Sequence, residues 1–275
     1  MKMENFKIIL ILAAIGFAGT VYAGTLFSDD FSGYASGQLL KTASNNLWYS
    51  DANCAVIDSN WSGRVFFVND VNADNLRLTR VDDYDLNIAD CNVKVDAYSD
   101  PCETWGIDWY VAARINGDNW VACGAVIGEM NPETLLIPIY MRIKDSSGMS
   151  SGDHFVASCY FKYLPIHIEL KVEGSTVKGT VRHGLNTLTL EQTTTVTGAG
   201  KQGFGGQYLY GHTRGSFDNF KVESITPICG DSGTLAFKQG DLNKDCYVDM
   251  ADTIIFARAW LECTNPANSS CDQYW

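Results

Sequence analysis

An all-β fold, an antiparallel β-sandwich followed by a small C-terminal helical module, is what the sequence predicts, and three observations predict it. In residues 106–115, Ile107, Trp109, Val111, Ala113 and Ile115 alternate with Asp108, Tyr110, Ala112 and Arg114. That period of two sends one set toward a core and the other to a polar face, as in a strand with one buried side. Residues 135–144 repeat the pattern, with Leu135, Ile137, Ile139, Met141 and Ile143 opposed to Tyr140, Arg142 and Lys144. Residues 166–172 repeat it again, with Ile166, Ile168, Leu170 and Val172 opposed to His167, Glu169 and Lys171. The third observation is the punctuation: Asn116-Gly117-Asp118-Asn119, Asp145-Ser146-Ser147-Gly148 and Glu173-Gly174-Ser175 are turn chemistry. Helical periodicity is hard to find before residue 224, so short strands must supply the core in two packed sheets.

In chain order, Lys2 and Lys7 precede an apolar and small-residue run over residues 8–18, and Val21-Tyr22-Ala23 offers small residues at cleavage positions. This predicts a secretory signal peptide over residues 1–23. The run is shorter than the ~20 apolar residues that cross a bilayer. No membrane span is therefore expected after cleavage, and the product is expected to be secreted or held at the cell surface.

The chain carries a formal net charge of −12. Lys2, Lys7 and Glu4 together contribute +1, which leaves −13 on the mature part. So acidic a chain has no electrostatic footprint for nucleic acid or anionic lipid, whereas it suits calcium and neutral or cationic partners. With 46% hydrophobic residues the chain can bury a full core, one large domain plus an appendage. Nine cysteines in an exported chain point to disulfides, and the odd number leaves at least one thiol unpaired or paired between chains. The pairing among Cys54, Cys91, Cys102, Cys123 and Cys159 stays open, and none of the nine has the close paired spacing of a zinc site.

Four segments carry a family resemblance. They are Leu26-Phe27-Ser28-Asp29-Asp30-Phe31-Ser32-Gly33-Tyr34, Trp109-Tyr110-Val111-Ala112-Ala113-Arg114, Leu170-Lys171-Val172-Glu173-Gly174 and Ser216-Phe217-Asp218-Asn219-Phe220-Lys221-Val222. Together they resemble the concanavalin A-like jelly rolls, which include laminin-G-like modules, legume lectins and family 16 glucanases, over residues 24–224. The resemblance implies that the first and last strands pair side by side, bringing Asp29 and Asp30 near Asp218. Several members hold a structural calcium there, which makes Asp30 and Asp218 candidate ligands; exposed strand-end carboxylates without metal are the alternative.

The glucanase members set their acids within Glu-x-Asp-x-x-Glu, so that all project from one strand face. No such pattern occurs here: Glu103, Asp108, Glu129, Glu133 and Glu169 include no two on one strand face at that interval. His154, His167, His183 and His212 are scattered, and no Gly-x-Ser-x-Gly accompanies them. Binding is the better expectation, because sugars are recognised by aromatic faces beside planar polar side chains in a groove. Tyr110 and Arg114 from one strand, with Tyr140 and Arg142 from another, are the candidate carbohydrate-binding residues, and Trp105, Trp120, Tyr208 and Tyr210 are candidates for the rim.

Residues 225–239 read as a linker, with Thr226-Pro227-Ile228 and Asp231-Ser232-Gly233. Residues 240–275 form the last module. Counting from Asp241, oxygen side chains fall at the first, third, fifth, ninth and twelfth places (Asp241, Asn243, Asp245, Asp249 and Asp252), and Tyr247 at the seventh offers its backbone carbonyl. This is the ligand spacing of a twelve-residue calcium loop, with Val248 placed to anchor the loop to a neighbour and one helix following. The sixth place, glycine in an ordinary EF-hand, is Cys246, and the last, a bidentate Glu, is Asp252. A Gly-Asp-x-Asn-x-Asp loop ending in Asp before a single helix resembles the repeat of type I dockerins. Those modules carry two such repeats; with only one here, calcium binding carries over better than docking to a cohesin-like partner. Cys229, Cys246, Cys263 and Cys271 admit three pairings. The helix holds Cys246 and Cys263 about 16 Å apart, beyond the roughly 7 Å that a disulfide spans, so Cys229–Cys246 with Cys263–Cys271 is preferred.

These readings converge on an exported, non-catalytic carbohydrate-binding protein whose partner is an extracellular polysaccharide or glycan, with calcium as cofactor of a dockerin-like attachment module. A glycoside hydrolase or polysaccharide lyase is the first alternative, and a structural cell-surface protein without a sugar ligand is the second.

Overall fold

The computed structural model describes residues 24–50, 55–57, 64–67, 77–82, 86–99, 107–158, 164–208, 215–225, 240, 242, 248 and 250–263. The segment expected to be a signal peptide, nearly all of the expected linker and the segment after residue 263 lie outside these. The elements in chain order are β1 (Thr25–Asp29), the one-turn helix α1 (Leu40–Ala43), β2 (Trp48–Ser50), β3 (Ala55–Ile57), β4 (Val65–Phe67) and β5 (Arg77–Val81). There follow β6 (Cys91–Ser99), β7 (Ile107–Asn116), β8 (Asn119–Ile127), β9 (Leu136–Asp145) and β10 (Ser150–Ser158). The chain continues through β11 (Ile166–Glu173), β12 (Thr176–His183), β13 (Asn186–Thr193), β14 (Lys201–Tyr208), β15 (Gly215–Ser224) and the helix α2 (Met250–Cys263).

Among the described residues the strands form two antiparallel sheets. One runs β13-β12-β11-β6-β15-β4-β3 with β1 also paired to β15, and the other runs β10-β9-β8-β7-β14-β5-β2. The first and last strands lie side by side as expected, Phe27 opposite Val222 and Asp29 opposite Phe220. Between the sheets, Val93, Val95, Val111, Ile139, Met141, Ile168, Leu170 and Val181 form one continuous buried core. The strand faces predicted for residues 135–144 and 166–172 hold from Ile137 onward and from Ile166 onward, because each odd or even set has a sheet to pack against. Leu135 is the exception, exposed at φ +54 in the turn that precedes β9.

The opening segment acts through Asp29. Its carboxylate accepts hydrogen bonds from Phe31 N, Tyr34 Oη and Trp48 Nε1 at 2.7–2.8 Å. Trp48 is thereby fixed among Phe27, Phe31, Phe204 and Phe220, with ring centroids 5.0–5.8 Å apart. Such aromatic pairs contribute roughly 0.5–1.5 kcal/mol each beyond their burial.

Of the cysteines expected in disulfides, Cys91 and Cys123 are unpaired thiols in the core, and burial pushes each thiol up to about 12. Cys54, Cys102, Cys159, Cys229, Cys246 and Cys271 lie outside the described residues.

Candidate functional site

The outward face of the seven-stranded sheet is built on β9. Ile137, Ile139, Met141 and Ile143 fill the core, so Tyr140, Arg142 and Lys144 must point the other way. Register then decides what surrounds each one. Tyr140 lies between Val126 and His154, Arg142 between Gly124 and Gly152, and Lys144 between Ala122 and Ser150. The Tyr140 and His154 rings pack 5.3 Å apart at 34°, and Tyr140 is 36% exposed. Arg142 is half-exposed and has a glycine on each flanking strand; Gly152 leaves its β10 side open, whereas the Tyr110 ring fills the space over Gly124 on its β8 side.

Beneath these groups is a polar floor. The Tyr110 ring lies against Gly124, where an added Cβ would come within 2.2 Å of Tyr110 Cδ1. The ammonium of Lys144 sits 4.3 Å from the Tyr110 ring centroid, a cation–π contact. Tyr110 Oη donates to Asp108 Oδ2 at 3.1 Å, and Arg142 Nη1 is 3.8 Å from the same oxygen. Asp108 is 1% exposed, and its Oδ1 has no hydrogen-bond partner among the described residues. Burial raises the Asp108 carboxyl above its ordinary range, with Arg142 and Lys144 opposing that shift. Burial likewise lowers the Lys144 ammonium, with Asp108 opposing. The face thus offers an exposed aromatic pair and a planar cation flanked by the open backbone of Gly152 and by the buried Tyr110 ring and Asp108 carboxylate.

Of the four residues expected to meet in a groove, Tyr140 and Arg142 lie on the outward face with exposed surface, and Tyr110 shares that side of the sheet but is fully buried rather than presented. Arg114 requires correction. The pairing Ala113↔Val121 gives way to Asn116↔Asn119, and Gly203↔Ala112 to Lys201↔Ile115, so β7 carries one extra residue against both neighbours. This is a β-bulge, with Arg114 at φ +57. Beyond it the parity flips, and Ile115, expected in the inter-sheet core, packs with Tyr110 and Ala112 on the outer side. The Arg114 guanidinium is drawn inside, 1% exposed, and donates to Ala89 O, Val196 O, Gly174 O and Asp90 Oδ1 at 2.6–3.1 Å. It holds loops together and has no place in the groove. Of the rim candidates, Trp120 is half-buried against the Tyr110 cluster. Trp105, Tyr210 and the side chain of Tyr208 lie outside the described residues. Asp108, Lys144 and His154 are the residues that sequence reasoning left out. Asp108 and Lys144 share strand and face with named candidates, whereas the meeting of His154 with Tyr140 depends on a hairpin register.

For the calcium loop, Asp241, Asn243, Asp245, Tyr247 and Asp249 lie outside the described residues. The twelfth-place ligand lies within them. Asp252 is 3% exposed, and its Oδ1 accepts the Leu242 N–H at 2.6 Å, which folds the start of α2 back onto the start of the loop. Gly240 just before it sits at φ +107, with the Val248 side chain near it. This closure fits a twelve-residue cation loop. At the other candidate site, Asp30 Oδ1 is engaged by Ser32, while Asp218 lies 3.8 Å from Arg64 and burial raises its carboxyl to about 6. Among the described residues no three His, Cys, Asp or Glu side chains cluster as a metal site.

No protein-family model matches this chain, and no curated protein matches it. Solved structures do. A xylan β-1,4-xylosidase from Bacillus halodurans is similar at a TM-score of 0.48 and 12% identity, over 72% of this chain and 39% of that one. A Bacillus licheniformis β-glucanase is similar at 0.44 and 11%, over 73% and 98% of the two chains. The winged bean acidic lectin, solved with methyl-α-D-galactose, is similar at 0.46 and 12%, over 72% and 98%. This chain therefore spans about two fifths of the xylosidase and nearly all of the other two.

Proposed function

We propose that this is an exported, non-catalytic carbohydrate-binding protein that recognises an extracellular polysaccharide through the outward face of the seven-stranded sheet. One observation carries the reading: the exposed Tyr140–His154 pair stands beside Arg142, whose neighbours on both flanking strands are glycines. An aromatic surface next to a planar multi-donor group that is open on its Gly152 side is what a pyranose needs, with its apolar face to stack and its hydroxyls to pair. Asp108 and Tyr110 support Arg142 from below. The C-terminal loop, ligated by Asp241, Asn243, Asp245, Tyr247, Asp249 and Asp252, holds one calcium and serves attachment to a cohesin-like or cell-surface partner. The folding back of Asp252 supports this part of the reading. A glycan array of the full mature chain, followed by titration of the strongest glycan, tests it: Tyr140→Ala should weaken binding roughly tenfold. Binding of every glycan at the parent's affinity by Tyr140→Ala and Arg142→Ala would remove this face from the account.

A further inference from the structure

Three loops meet at the end of the sandwich where β7 turns into β8. They are the 116–119 hairpin turn, the 145–148 turn between β9 and β10, and the 194–199 connection from β13 to β14. Between them lies a cavity of about 370 Å³, at the lower end of the range for small-molecule sites. Asn116, Asp118, Asn119, Ser146, Thr195 and Thr197 line it, with Arg114 in its floor.

The loops are held from behind by two buried charges. Arg114 ties Val196 O to Gly174 O and Ala89 O. Asp145, 3% exposed, accepts from Ser147 N, Met149 N and Thr194 Oγ1, which joins the second loop to the third. Ser146 exchanges hydrogen bonds with the backbone of Trp120, which joins the second to the first. A ligand entering such a cavity orders little of the protein, so the entropic cost of binding is small.

We propose that this cavity is a second binding site, distinct from the sheet face, for one neutral polyhydroxylated molecule the size of a monosaccharide. The lining sets the ligand class. Hydroxyls and carboxamides both donate and accept, which matches a ring of hydroxyl groups. An anion is disfavoured, because Asp118 is in the wall and the guanidinium in the floor already donates to four acceptors. An extended apolar ligand gains little, because Val196 and Ala199 are the apolar side chains in the wall.

The test is saturation-transfer NMR on the full mature chain with methyl β-D-glucopyranoside, methyl β-D-xylopyranoside, methyl α-D-galactopyranoside and sodium D-glucuronate, each at about 10 mM, a concentration that reveals millimolar affinity. At least one neutral glycoside should give transfer, more strongly than glucuronate. Asn119→Ala and Thr197→Val, both at exposed positions, should each weaken it roughly threefold to tenfold with an unchanged melting temperature. These comparisons are made in the Tyr140→Ala background, where the sheet face is weakened, so that the transfer that remains reports the cavity. Transfer to none of the neutral glycosides, equal or stronger transfer to glucuronate, or neutral-glycoside binding that persists undiminished in both cavity variants would overturn the proposal.

Discussion

Arg114 is a cation with almost no exposed surface, and its removal would take a donor from three backbone carbonyls, while Asp90 keeps the Gly174 N–H. A buried acceptor left unpaired costs roughly 1–3 kcal/mol and these are part-buried, so Arg114→Met should lower stability by about 2–3 kcal/mol in urea denaturation. Arg114→Lys should do nearly as badly, since one ammonium cannot reproduce the guanidinium's fixed fork; full stability in that variant would contradict the clasp. Asp145 makes the complementary case. Burial pushes its carboxyl up, but hydrogen bonds from Ser147, Thr194 and Met149 outweigh that and hold it below the ordinary range. A carboxyl depressed on folding contributes stability above its unfolded pKa and loses it as pH falls through the folded value. Asp145→Asn should therefore melt lower than the parent at neutral pH, by about 1–2 kcal/mol, with the gap closing in acid. A gap constant with pH would show that the charge plays no part.

Within single strands, the period of two carried nearly all the information about which side chain faces where. Residues 166–172 and 137–144 alternate as read, because an unbulged strand between two neighbours has no other way to bury its apolar set. The reading failed at Arg114 and Ile115, because one residue in the left-handed region shifts the parity and nothing in Ala-Arg-Ile-Asn announces it. The surroundings of the site were out of reach for a related reason. Gly124, Gly152 and His154 acquire their roles through the pairing of β8, β9 and β10, and pairing is a property of two strands. Gly124 also gives the β7–β8 pair a direct test. A methyl group there would strike the Tyr110 ring, so Gly124→Ala should cost about 1–3 kcal/mol and expose Tyr110, readable as a change in tyrosine fluorescence or near-ultraviolet dichroism. An unchanged spectrum and melting temperature would contradict the close contact.

For the molecule as a whole, the sandwich and the C-terminal loop make separate claims. The expected ligands of the loop follow one another along the chain, and all but Asp252 lie outside the described residues, whereas the sheet face assembles residues from β7, β8, β9 and β10. If the expected calcium loop closes, Asp241, Asp245, Asp249 and Asp252 would repel one another, and calcium would remove that repulsion and stabilise the folded form by mass action. Calorimetry of the full chain should show a transition that moves up in millimolar calcium relative to chelator; Asp241→Ala should abolish the shift, and magnesium should reproduce little of it. No shift in the parent would leave the loop an acidic helix cap. The central claim concerns the outward face of the seven-stranded sheet, and it is tested most directly by mapping NMR chemical-shift changes on binding the best polysaccharide fragment from the array. The predicted result is that Tyr140, Arg142, Gly152 and His154 shift together while Lys94, Glu169 and Arg182, ion-paired on the eight-stranded sheet, stay in place. Shifts centred on Lys94, Glu169 and Arg182, with Tyr140 and His154 unmoved, would contradict it.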